Sequence, residues 1–184
     1  MAAAKDEFTE YGFAGARLNR IASTARASKE RLYSYFASKE QLFEAVVAQW
    51  IEAAPYRVPL SADDMPGYVE GLFDNFVADP RGARLQRWIE LEAPGGLSDD
   101  HLLRRLFRAK LAEVRRGQQA GLIDPTWHPM DLVTLLTEIA LSMAAASSVI
   151  SRIAGEERTG DTTDERRAAA VEAARRLVGH GGSH

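Results

Sequence analysis

Between Ala2 and Trp50 the apolar residues recur every three or four positions in four short runs, and only a few residues separate one run from the next. That spacing is the period of an amphipathic helix and not the alternation of a strand. Phe8 and Tyr11 mark the first run, which Gly12 ends. Leu18, Ile21, Ala22 and Ala25 share one face of the second, over residues 17–25. After Arg26 and Ala27, Ser28 is placed to cap a third helix whose inward side is Leu32 and Phe36. Ser38 caps a fourth, with the stripe Leu42, Phe43, Val46, Val47 and Trp50 running toward Pro55. The second and third helices, short and equal around a two-residue break, have helix-turn-helix proportions.

The same period continues to the end of the chain. Pro55 and Pro59 mark a link to a second module, so the domains expected are 1–50 and 51–184. Helices are predicted over 63–78 (Tyr68, Val69, Leu72, Phe73, Phe76 and Val77 inward) and 81–93 (Leu85, Trp88, Ile89). Pro94-Gly95-Gly96 stops the second of these. A longer helix over 98–119 carries Leu102, Leu106, Phe107 and Val114 at helical spacing, with the Lys110 stem tolerable at an edge, and Gly121 ends it. The last two helices, 131–153 and 163–178, are rich in Ala and Ser. Small residues let helices approach closely, which makes these two helices the candidate subunit interface, although internal packing explains the same pattern. The fold expected is therefore all-α, about nine helices, with no strand.

Charge is unevenly placed. Residues 17–39 hold six bases (Arg17, Arg20, Arg26, Lys29, Arg31, Lys39) and one acid, Glu30, a local charge of +5. With −3 for the whole chain, the remainder carries −8. A basic face on an acidic body suits DNA, because attraction to phosphate is screened beyond about 10 Å. A solvated helix surface would look the same by charge alone.

Other chemistry is poorly supplied. There is no Cys, which excludes disulfides and thiolate sites, and His101, His128, His180 and His184 show no metal-ligand spacing with acids. No phosphate loop, zinc-protease pattern or nucleophile elbow occurs, so neither an enzyme nor a cofactor is expected. The chain has no secretory leader and no apolar run of membrane-spanning length, which makes a cytoplasmic protein without membrane association the expectation.

Residues 12–22 (GFAGARLNRIA), 28–36 (SKERLYSYF) and 38–43 (SKEQLF) together closely resemble the DNA-binding domain of the tetracycline-repressor-like (TetR) family. The phrase Gly121-Leu122-Ile123-Asp124-Pro125 and the helix lengths resemble that family's ligand-binding and dimerisation body. The resemblance implies a homodimeric repressor that binds a pseudo-palindromic operator in double-stranded DNA and leaves it when a small molecule enters the body. It implies base-facing roles for Lys29, Glu30 and Arg31 behind the cap Ser28, phosphate or groove-edge contacts from Tyr33 and Tyr35, and a phosphate contact from Lys39. Arg17 and Asn19 match polar positions that touch the backbone or a nearby base. Arginine can fork onto guanine O6 and N7, and tyrosine hydroxyls suit phosphate oxygens. The chain departs from the family at Ala16, where a capping Ser or Thr is usual, and at Arg26, where a turn glycine is common, so that strain is expected there if the backbone stays left-handed. Its first helix also starts almost at Met1, without the basic arm of many members.

In the body, Phe73, Trp88, Phe107, Trp127 and Met143 are candidate ligand contacts, with Tyr68, Phe76, His128 and Met130 near them in character. Aromatic residues at helical spacing serve equally as plain core. Their predominance over acids points to an apolar or aromatic effector. A helical interaction module of the same fold, without operator binding, is the alternative reading.

Overall fold

The computed structural model describes residues 1–53, 58–92, 102–145 and 162–179. Among them are nine α-helices and no strand: α1 (Ala2–Gly15), α2 (Leu18–Thr24), α3 (Lys29–Tyr35), α4 (Lys39–Ala53), α5 (Met65–Ala78), α6 (Pro80–Glu92), α7 (Leu102–Gln119), α8 (Pro129–Ala144) and α9 (Thr163–Val178). The chain divides into two compact units, Met1–Pro55 with Asp79–Arg105, and Tyr56–Ala78 with Leu106–His184.

The first unit is built on an aromatic cluster. Phe8 and Phe43 are completely buried, with ring centroids 5.0 Å apart and planes at 78°. Phe13 meets the Phe43 ring at 5.3 Å in a similar edge-on manner. Leu42, Val46 and Val47 of α4 and Ile21 and Ala22 of α2 complete the interior, as their helical spacing predicts. Gly12 interrupts α1 (φ 71°, ψ −179°) where the sequence ends the first helix, and one further turn continues to Gly15. Replacing Phe43 with Ala should destabilise the protein by about 3–5 kcal/mol, since it removes a large buried ring and leaves a cavity. Urea denaturation measures this; a loss under about 1 kcal/mol would mean that the cluster does not carry the unit.

The helix α6 joins this unit by packing on α1. Leu85 and Ile89 are buried on its apolar side, and the indole N–H of the half-buried Trp88 donates to the Thr9 carbonyl at 3.1 Å. Three ion pairs flank that contact: the exposed Arg81–Asp6 at 2.7 Å and Arg84–Glu10 at 3.2 Å, and the half-buried Lys5–Asp79 at 3.2 Å. Asp79 also caps α6 by accepting from the Gly82 N–H at 2.9 Å, which is why the helix starts at Pro80.

In the second unit α5, α8 and α9 pack against one another. Val69 and Phe73 of α5, Leu132, Val133, Leu136 and Ala140 of α8, and Ala170 and Ala174 of α9 have no exposed surface. The alanine-rich helix therefore serves internal packing on one side, through Ala170 and Ala174, while Ala173 is exposed and Ala144 and Ala169 are half-buried. The helix α9 opens with a capping box: Thr162 Oγ1 accepts from the Glu165 N–H, and the Glu165 carboxylate accepts from the Thr162 N–H. At the end of α7, Gly121 adopts φ 71°, so that Leu122 N–H bonds Gly117 O and Gly121 N–H bonds Gln118 O, closing the helix as expected. His128 caps α8, its Nδ1 accepting from the Met130 N–H at 3.3 Å, so that helix begins two residues before the sequence expectation. The expected helical residues 98–101 and 146–153 lie outside the described residues.

Candidate nucleic-acid interface

Two short helices and the turn between them present the basic residues. At the end of α2, Arg26 N–H bonds Ser23 O at 3.1 Å and Ala27 N–H bonds Ala22 O at 3.0 Å. This closure needs a left-handed residue, and Arg26 supplies it at φ 51°. The sequence expectation of strain at this position therefore holds. A side chain in that conformation costs roughly 1–2 kcal/mol relative to glycine. Arg26→Gly should accordingly raise stability by up to about 1 kcal/mol, read as a higher urea midpoint, while removing one charge from the basic face. A midpoint that falls would show that the turn does not have this geometry.

Beyond the turn, Ser28 caps α3 by accepting from the Arg31 N–H at 3.1 Å. The Glu30 carboxyl lies below its ordinary pKa because its own backbone N–H, and then the Ser28 hydroxyl, bond the charged form. It is an acceptor at neutral pH, suited to the cytosine N4 amine. Lys29, Glu30, Arg31, Ser34, Tyr33 and Tyr35 are all exposed, Tyr35 by 70%. Among the described residues the Arg31 guanidinium has no partner. The Lys29 ammonium sits 5.8 Å from the Tyr33 ring centroid, one helical turn away. Leu32 and Phe36, which the sequence reads as core, are only half-buried, because the seven-residue α3 rests on α2 without entering the interior.

Arg17 and Asn19 are exposed at the start of α2. Ala16 is buried and Arg17 takes the capping position, without a side-chain cap. A residue that sequence reasoning missed takes over part of this task. Glu7 of α1 is 8% exposed, and its Oε1 accepts from the Arg17 backbone N–H and from Arg20 Nε, each at 2.8 Å. Arg20 also donates to the Gly15 carbonyl and lies 4.1 Å over the Tyr11 ring. Lys39 behaves similarly: its ammonium approaches the carbonyls of Ala14 and Ala16 at 3.4 and 3.3 Å and lies 4.5 Å from the Phe13 ring. Two of the six bases in the window thus hold the unit together. Arg17, Arg26, Lys29 and Arg31 form its exposed cationic part.

The expected ligand contacts do not all gather in one place. Trp88 belongs to the first unit, with its N–H committed to Thr9. Phe73, Phe107, Trp127 and Met143 belong to the second unit, where Phe73 is fully buried and the other three are half-buried. Among the described residues no cluster of His, Cys, Asp and Glu can hold a metal ion, and no helix is long and apolar enough to cross a membrane.

Residues 1–46 match the family model for bacterial regulatory proteins of the tetR family, and residues 64–176 match that of the tetracyclin repressor-like C-terminal domain. The chain is 33% identical over 177 residues to the HTH-type transcriptional repressor SCO4008 of Streptomyces coelicolor, covering 96% of this chain and 91% of that protein. It is 44% identical over 62 residues to the HTH-type transcriptional regulator RutR of Escherichia coli, which covers 34% of this chain and 28% of RutR. Among solved structures, the transcriptional regulator SCO4942 of Streptomyces coelicolor has 39% identity and a TM-score of 0.75, covering 96% of this chain and 94% of that one. A TetR family regulator from Marinobacter aquaeolei has 25% identity and a TM-score of 0.67, covering 96% and 92%.

Proposed function

The chain belongs to the TetR family of DNA-binding transcription regulators, and from that premise we propose that it represses transcription as a homodimer on a pseudo-palindromic operator and is released by a small-molecule effector. The observation that carries the reading is the exposed face of α3, where Lys29, Glu30 and Arg31 stand together at a capped helix start with Arg31 unpaired among the described residues. Lysine, carboxylate and guanidinium at such a start can each meet a base edge in the major groove. Tyr33 and Tyr35 then contact phosphates, with Arg17 and Asn19 at the neighbouring backbone. Lys39 contributes its charge to phosphate while it fastens the start of α4 to the α1–α2 turn.

In this reading residues 1–50 read DNA and residues 51–184 bind the effector and pair the subunits. Phe73, Phe107, Trp127 and Met143 are the candidate lining of the effector site; Trp88 lies in the first unit with its indole N–H bonded to α1. The effector is apolar or aromatic in its main part. Pairing runs through α8 and α9, whose outward faces carry Leu135 and Ala173. Selection of bound duplexes from a random pool, read by sequencing, tests the proposal. A discrete inverted repeat is expected. Weak binding that is equal across sequences would reject operator recognition and favour a pure interaction module.

A further inference from the structure

Lys110 is arranged unlike the ion-paired arginines of the second unit. Arg116 pairs with Glu113 and Asp63, Arg167 with Glu70 and Asp74, and Arg175 and Arg176 with Glu172, at exposed or half-buried positions. Lys110 of α7 is half-buried and, among the described residues, has no carboxylate within ion-pair distance. Its Nζ donates to the Tyr68 hydroxyl of α5 at 2.8 Å. The ammonium thus sits off the hydroxyl edge of Tyr68, 5.1 Å from that ring's centroid, and 5.5 Å from the ring centroid of Phe107. Tyr68 itself is 2% exposed.

Taking an ammonium partly out of water is unfavourable unless its donors are satisfied, and ring faces alone supply only a modest attraction. The ammonium has three N–H groups, of which the Tyr68 oxygen accepts one. Because that oxygen accepts from Lys110, the phenol proton is free to donate elsewhere. Among the described residues, two N–H groups of the Lys110 ammonium and the phenol proton of Tyr68 thus have no acceptor, and the Phe107 ring lies beside them. The geometry points to an effector that is a carboxylic acid with an aromatic or aliphatic body, its carboxylate held by Lys110 and Tyr68 and its body laid against Phe107. This assignment rests on the effector-released repressor proposed above and names the chemistry of that effector. A charge-assisted bond of this kind separates an acid from its neutral isostere by about tenfold to a hundredfold.

Calorimetric titration of the full chain with two matched pairs, phenylacetate against phenylacetamide and octanoate against octanamide, tests it. At least one acid should bind about tenfold or more tightly than its amide. Lys110→Met should abolish that preference, Lys110→Arg should retain it, and Tyr68→Phe should reduce it while keeping the ring. Equal binding of acid and amide overturns the assignment, as does Lys110→Met with the preference intact, or failure of both acids to bind the wild type at millimolar concentration. If Lys110→Met does not fold, the arginine and phenylalanine variants still decide the question. Duplex selection on the wild type with no acid present reports on DNA reading alone. A protein that selects an inverted repeat but ignores both acids overturns only the role of Lys110; one that prefers an acid but selects no duplex overturns only the operator.

Discussion

Arg31→Ala should give an operator with one base pair less of definition in each half, and a loss of affinity for the wild-type operator of about 2–6 kcal/mol. Each bidentate arginine–guanine pair discriminates by about 1–3 kcal/mol, and a symmetric dimer makes the contact twice. The residue suits this role because its guanidinium is exposed and unpaired among the described residues, while its backbone N–H, bonded to Ser28, fixes the start of the helix. The loss should be confined to the wild-type sequence, with non-specific binding almost unchanged. Lys39→Ala is the contrasting case. It should weaken binding to all duplexes alike and lower the salt slope by about one unit per subunit. If both substitutions produce the same sequence-independent loss, Arg31 touches phosphate and not a base.

The second large effect separates two neighbouring alanines of α9. Ala174 is completely buried, whereas Ala173 is exposed. A glutamate at 174 has to be accommodated by a packed interior, at about 1–3 kcal/mol for volume and several more for charge or its neutralisation. That approaches the whole stability of a typical domain, about 5–15 kcal/mol. Ala174→Glu should therefore lose helical circular dichroism at room temperature or melt far below the wild type. Ala173→Glu should keep the wild-type spectrum and instead split the dimer, by burying an unpaired charge between subunits. Sedimentation at micromolar concentration checks the latter. An intact Ala173→Glu dimer would move the interface off this face, and a normally melting Ala174→Glu would contradict the packing of α9.

What could be read from sequence was what local chemistry dictates. Apolar spacing gave the helices. Ser28, Ser38 and Gly121 marked ends that the structure closes with the expected hydrogen bonds. Even the strain at Arg26 was legible, because the turn demands one conformation whatever residue occupies it. Long-range polar contacts were not legible. Nothing near Glu7 announces that its carboxylate will meet the N–H of Arg17, and nothing near Lys110 announces a phenol 42 residues away. Lys39 has a familiar neighbourhood in sequence, yet its ammonium turns to the carbonyls of Ala14 and Ala16. Helical period reports which side of a helix is apolar; it does not report which polar groups the folded chain brings opposite one another.

Arg81–Asp6 and Arg84–Glu10 lie open to solvent and Lys5–Asp79 is half-buried, so dissolved ions compete for the first two as they compete for phosphates. These pairs seat α1, and α1 carries the Glu7 that fixes the start of α2. Raising salt therefore loosens the reader from within at the same time as it masks the DNA. An ion stoichiometry taken from a salt titration of the complex counts both events and overstates the number of phosphates touched. The internal share can be measured with no DNA present, from the salt dependence of the melting temperature. Subtracting it turns the apparent stoichiometry into a count of phosphate contacts.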